Sequence, residues 1–317
     1  MNLPHLHLLL NHIPTIGFGV GVGLLLLPLF RRNDSLRQAS LEVLFIVALL
    51  TLPAYLSGYS ARAAIAERPD VTASIIQAHA DAALLAFLFM QLTGAVAWIG
   101  LWQSRRMSRP AGWTMPALML LSVVTFGLMA RAANEGGDIR HPEIKPAAAR
   151  AETEQAAESE IPWLKTEVMA KALVVQNPVV WQVCETLHFI GLSFLLGVVL
   201  LLDLRLLGVG KAIPIAGFYT LLPWAMIGYG INTLTGILWV AAGSEIYMGN
   251  PAFYFKILWV VLAGVNTLFL TVADEAWLLA SDQEASARAK LLAAASIFLW
   301  LGVVFWGRLM PFLGLTF

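Results

Sequence analysis

Along the chain, apolar runs of bilayer-spanning length alternate with short polar breaks. A helix needs roughly 20 mostly apolar residues to cross the hydrocarbon core. Such runs fall at Ile13–Phe30, Leu41–Ser60, Ser74–Trp102, Trp113–Ala130, Trp181–Leu202, Phe218–Ala242, Tyr254–Leu279 and Leu291–Phe312. The pattern predicts an all-α integral membrane protein of about eight transmembrane helices, arranged as two four-helix bundles. Between the two groups runs "RAANEGGDIRHPEIKPAAARAETEQAAESEIPWLKTEVMAKALVVQNP", rich in Ala and Glu and too polar for lipid. Within it, "WLKTEVMAKALVV" fits a helix lying flat on the membrane. The expected organisation is a first bundle over 1–131, a polar linker with a surface helix over 132–180, and a second bundle over 181–317.

The two groups repeat one another. The first helix of each reads histidine, a long apolar run, then arginine: "HIPTIGFGVGVGLLLLPLFRR" from His12 and "HFIGLSFLLGVVLLLDLR" from His188. The second carries a hydroxyl–glycine pair, Ser57-Gly58 against Thr235-Gly236. The third opens on an ionisable residue, His79 against Lys256. The fourth ends with a glycine near an arginine, Gly127 and Arg131 against Gly307 and Arg308. Four spans per unit make the repeats parallel, related by an axis along the membrane normal.

Charge sets an expected orientation. The short loops carrying Arg31, Arg32 and Arg37; Arg105, Arg106 and Arg109; Arg205 and Lys211; and Arg288 and Lys290 all fall on one side. Basic short loops stay inside, so both termini and the linker are expected outside, on the periplasmic side of a bacterial inner membrane. The opening "MNLPHLHLLLNHIP" lacks a basic n-region and a small-residue cleavage site, so it reads as mature sequence.

Composition agrees with the pattern. Hydrophobic residues make up 59% of the 317 and charged ones 13%, against about a quarter charged in soluble domains; mean hydropathy is +0.74. The formal net charge is zero, so nothing points to nucleic acid. A single cysteine, Cys184, excludes an internal disulfide. There is no CxxCH, no GxxxxGK[ST] and no HExxH.

The candidate chemistry lies in the histidines. All six (His5, His7, His12, His79, His141 and His188) fall on the outer side of the expected topology. Two imidazoles at similar depth on facing helices suit a b-type haem, one axial nitrogen from each side. His12 and His79 are the candidate iron ligands in the first bundle, and the ridge of Gly17, Gly19, Gly21 and Gly23 below His12 would admit a flat macrocycle or a neighbouring helix. The plain alternatives are an interfacial His12 and a His79 kept near Asp81. In the second bundle His188 is the candidate ligand of a second haem, with Lys256 opposite; that lysine could equally snorkel to the headgroups. Glu185 is placed either to orient His188 or to face water. Asp203 and Arg205 read as an ion pair at the inner boundary. Asp274 and Glu275 mark either that boundary or a point of proton uptake. His141, after the Gly136-Gly137 turn, could fold back over the outer mouth or stand as an exposed loop histidine.

"ETLHFIGLSFLLGVVLLLDLRLLG", "LPWAMIGYGINTLTGILW" and "NPAFYFKILWVVLAGVN" together resemble an uncharacterised bacterial four-helix membrane domain. More distantly they are similar to copper-resistance-D-like membrane proteins and to the membrane protoporphyrinogen oxidases. The latter likeness implies a haem b near His188 and Lys256. "LNHIPTIG", "AHADAALLAF" and "GGDIRHPEI" resemble another haem-associated membrane domain. A duplicated eight-helix chain with a long insert departs from the four-helix oxidase.

The expected function is that of a membrane cytochrome b-like subunit. It would hold haem b near the outer face, with a quinone site or second haem near His188. It would pass electrons between the quinone pool and a periplasmic carrier or another subunit of a membrane redox complex. The rival readings are a copper-handling protein using His5, His7 and Met248, a porphyrinogen oxidase, and a cofactor-free structural or assembly subunit.

Overall fold

The computed structural model describes residues 3–30, 33–66, 68, 71–107, 111–140, 166–175 and 177–313. The protein is an all-α integral membrane protein, and among the described residues eight helical segments are long and apolar enough to cross a membrane: Leu3–Pro28, Asp34–Ile65, Ala73–Arg106, Thr114–Arg140, Val179–Leu206, Ile215–Ala242, Pro251–Val272 and Ala287–Leu313. The chain divides into two compact units, one of Met1–Leu101 with Pro110–Ala170, the other of Trp102–Arg109 with Lys171–Phe317.

The first unit contains α1 (Leu3–Leu10), α2 (His12–Phe30), α3 (Asp34–Ile65), α4 (Ala73–Arg106, whose last turn belongs to the second unit) and α5 (Thr114–Arg140). The short α6 (Thr166–Val175) follows. Asn33 starts α3 by accepting from the Leu36 amide. Glycines set the α2–α3 distance, because a Cβ at Gly17 or Gly21 would stand 2.8 Å from Val47 Cγ2 or 2.7 Å from Leu44 Cδ2. Gly19 and Gly23 face nothing within 4 Å. The glycine ridge is therefore a small-xxx-small seam against α3. Ser40 Oγ donates to the Gly21 carbonyl across it at 2.9 Å.

The second unit contains α7 (Pro178–Leu206), a 3-10 turn (Ile215–Leu221), α8 (Leu222–Ala242), α9 (Ser244–Met248), α10 (Pro251–Val272), α11 (Asp274–Trp277) and α12 (Ala287–Leu313). Asn177-Pro178 and Asn250-Pro251 start α7 and α10, each asparagine capping and each proline at the first helical position. Gly208 ends α7 at φ +101, with Gly208 N–H on the Arg205 carbonyl and Val209 N–H on the Leu204 carbonyl. That pair of bonds is a Schellman cap. Along α12 the buried positions are Ala289, Ala293, Ser296, Trp300 and Val303, while Leu291, Phe298, Leu301 and Phe305 face outward. Mostly small groups inside and large apolar ones outside is the arrangement of a helix packed in lipid.

Of the boundaries that differ from the sequence reading, three have a visible cause in the packing. The first span begins at Leu3, because α1 is helical and packs on α3, with a break at Asn11. The fourth helix continues to Arg140, taking in residues assigned to the linker, because Ala132 is buried against Ala82 and Ala86. The seventh stops at Val272: Trp277 Nε1 takes the Leu270 carbonyl at 2.8 Å and Arg106 Nη2 the Thr271 carbonyl at 2.5 Å, where another helical turn would have bonded.

Candidate functional site

In the first unit His7 and His79 each hold a backbone carbonyl of another helix. His12 opens α2 with its side chain exposed. His7 Nδ1 lies 3.0 Å from the Ala54 carbonyl and 3.3 Å from Ser57 Oγ. His79 Nδ1 lies 3.0 Å from the Ala132 carbonyl. A carbonyl only accepts, so each Nδ1 carries the proton and each neutral ring keeps its lone pair on Nε2. The same anchoring of a ring N–H by a backbone carbonyl is what orients metal-ligating histidines.

The helices supply matching seats. Each accepting carbonyl stands four residues before a glycine, Ala54 before Gly58 on α3 and Ala132 before Gly136 on α5. A Cβ at Gly58 would come 3.2 Å from His7 Cε1, and one at Gly136 3.1 Å from His79 Cε1. Glycine there lets each ring lie against the helix backbone. Beside the seat for His7, Tyr55 stacks on Phe87 at 4.6 Å and shares a 3.0 Å hydroxyl contact with Tyr59. Buried Asp81 accepts from Gln77, whose amide oxygen accepts from Arg62 at 2.9 Å.

The second unit repeats the seat in altered form. His188 Nδ1 is 2.8 Å from Thr235 Oγ1. The Thr235 hydroxyl donates to the Ile231 carbonyl at 2.7 Å, so it accepts from Nδ1–H and leaves the His188 lone pair on Nε2. Lys256 interacts electrostatically with His188 and lies 3.6 Å from a Cβ built on Gly307. The Trp239 ring stands 4.9 Å from that of His188, and its Nε1 is buried with no hydrogen-bond partner. Thr235, rather than Glu185, fixes His188; Glu185 has no hydrogen bond or ion pair among the described residues.

These contacts shift the register of the repeat. Thr235, which meets His188, corresponds in the repeat to Ser57, and the histidine that meets Ser57 and Gly58 is His7. The fourth-helix glycine facing His79 is Gly136, as Gly307 faces Lys256, whereas Gly127 faces nothing within 4 Å. The signal was the separation between partners, 50 residues from His7 to Ser57 and 47 from His188 to Thr235.

Other sequence candidates resolve differently. His141 lies outside the described residues. Asp274 is ion-paired to Arg106 and, at 3.5 Å, to Arg105. Asp203 and Arg205 form no ion pair: Arg205 instead donates to the carbonyls of Ile213 at 2.5 Å, Ala280 at 2.9 Å and Gln283 at 3.3 Å. Among the described residues no three His, Cys, Asp or Glu side chains gather where a metal ion could sit.

Comparison with models of known protein families, with curated proteins and with solved structures finds no match.

Proposed function

We propose that this protein is a membrane b-type cytochrome-like subunit that binds haem b between His7 and His79. One observation carries the reading: two imidazoles on different helices of one unit, each seated on a glycine with Nδ1 on a carbonyl and Nε2 open. Two such nitrogens alone are a poor cage for a bare metal ion, whereas a porphyrin brings four nitrogens and asks the protein for two. Haem bound there supplies one-electron transfer.

The rest of the proposal follows from topology and charge. The arginine-rich short loops stay inside, which puts both termini and the His7–His79 site on the periplasmic side of a bacterial inner membrane. Electrons would pass between the quinone pool and a periplasmic carrier or another subunit of a membrane complex. In the second unit, Lys256 and the Trp239 N–H beside His188 are donors suited to a quinone carbonyl.

The test is haem content. The full chain, purified in mild detergent from cells supplied with a haem precursor, is expected to carry protohaem in stoichiometric amount by the pyridine haemochrome assay. A haem-free preparation under those conditions refutes the proposal and favours a cofactor-free assembly subunit.

A further inference from the structure

Asp203 lies one turn before the end of α7, in the core of the second unit. Its side chain is 1% exposed, and neither carboxyl oxygen has a hydrogen-bond partner. Its neighbours in the chain, Leu202 and Leu206, belong to the apolar core formed with Ala289, Ala293 and Trp300 of α12. Ser296 of α12, itself buried, is the polar side chain within reach.

Among the described residues no positive charge compensates this carboxyl. Arg205, two residues on, spends its guanidinium on three carbonyls. Lys211 and Lys290 both hold Glu284, and Arg105 and Arg106 both reach Asp274. Arg288 is exposed. Tyr219 donates to the Trp277 carbonyl at 2.6 Å. A bare carboxylate here would lack a counter-charge and have only the Ser296 hydroxyl near it as a donor, and a buried charge without a counter-ion is among the costliest things a fold can hold. The neutral acid avoids that cost and gains an O–H that Ser296 can accept.

We propose that Asp203 is a proton-binding site of the second unit: its carboxyl carries a proton in the dry core and exchanges it with water at the arginine-rich end of the bundle, with the Ser296 hydroxyl as its first relay. The position suits exchange, because α7 ends three residues later and the chain then turns through Gly208 and Gly210 to the half-exposed Lys211. The ligand is a proton, so the site needs no haem and stands apart from the His7–His79 reading.

Infrared spectroscopy of the full chain in lipid nanodiscs tests this. The wild type at neutral pH should show a protonated-carboxyl C=O band that shifts on transfer to D2O and is missing in Asp203→Asn. Ser296→Ala should move the band or slow its deuterium shift without abolishing it, which a packing role for the serine would not do. If Asp203→Asn proves unstable, Asp203→Glu carries the test, since its band should persist at a displaced frequency. An Asp203→Asn spectrum superimposable on wild type overturns the site. A band that never shifts in D2O overturns the exchange.

Discussion

Replacing Arg205 tests whether the end of α7 is organised as described. Its guanidinium is 1% exposed and donates to three carbonyls that no helix satisfies: Ile213 before the 3-10 turn, and Ala280 and Gln283 before α12. Hydrogen bonds to a charged group contribute about 1.5–3 kcal/mol each, so three sum to about 4–9 kcal/mol before the released carbonyls regain water. Arg205→Lys keeps the charge but not the planar fork, and should cost about 2–4 kcal/mol because one or two carbonyls lose their donor. Arg205→Met should cost about 3–5 kcal/mol. Reversible unfolding in mixed detergent–SDS micelles, followed by tryptophan fluorescence, reads both. The same assay separates the rival reading of an Asp203–Arg205 ion pair: the double-mutant cycle of Asp203→Asn with Arg205→Met should give a coupling below about 0.5 kcal/mol. An Arg205→Lys variant as stable as wild type, or a coupling well above about 1 kcal/mol, refutes the reasoning.

Gly17→Ala and Gly21→Ala should each destabilise the first unit by about 1–3 kcal/mol through overpacking on Val47 and Leu44. Gly19→Ala and Gly23→Ala, with open space at the Cβ, should be neutral or stabilising by up to about 1 kcal/mol, measured in the same unfolding assay. Glu284 is fully exposed, and its hydrogen bonds from Lys211 and Lys290 pull its carboxyl down to about 2. A depressed carboxyl stabilises the fold above its unfolded value near 4.5, and that contribution drains away as pH falls towards 2. Glu284→Gln should therefore remove a salt-sensitive part of the acid lability in that window, read as unfolding midpoint against pH with and without added salt. Gly58→Ala and Gly136→Ala press a methyl against the seated rings and should shift the haem spectrum or lower haem loading, whereas Gly127→Ala should leave both unchanged.

The fold was legible because lipid imposes a simple requirement: eight apolar runs must become eight helices. Its boundaries were harder to read where side chains replace backbone partners. Trp277 and Arg106 end α10 by taking the carbonyls of Leu270 and Thr271, and nothing local in "FLTVADEAW" announces it. The repeat set Ser57-Gly58 beside Thr235-Gly236 and His79 beside Lys256; in the structure Gly58 and Thr235 each meet a histidine, and Gly136 and Gly307 stand beside His79 and Lys256. It set His12 against His188 because His12 begins the longer apolar run, whereas the histidine that meets Ser57 and Gly58 is His7, on α1 beyond the break at Asn11. The deciding information was long-range, a carbonyl on α3 that a ring must reach. Likewise "DLR" looks like an ion pair in one dimension, but residues two apart on a helix point in different directions, so Arg205 leaves for the loops and Asp203 stays in the core.

On the proposed reading His7 and His79, and not His12, would hold the haem. The reduced and oxidised absorption spectra of His7→Ala, His79→Ala and His12→Ala, each purified as the full chain with adequate haem supply, test it most directly. A bis-imidazole site predicts sharp low-spin bands in the wild type and in His12→Ala, and their loss or conversion to a high-spin spectrum in both other variants. Unchanged bands in His7→Ala and His79→Ala, or their loss in His12→Ala alone, contradict the account.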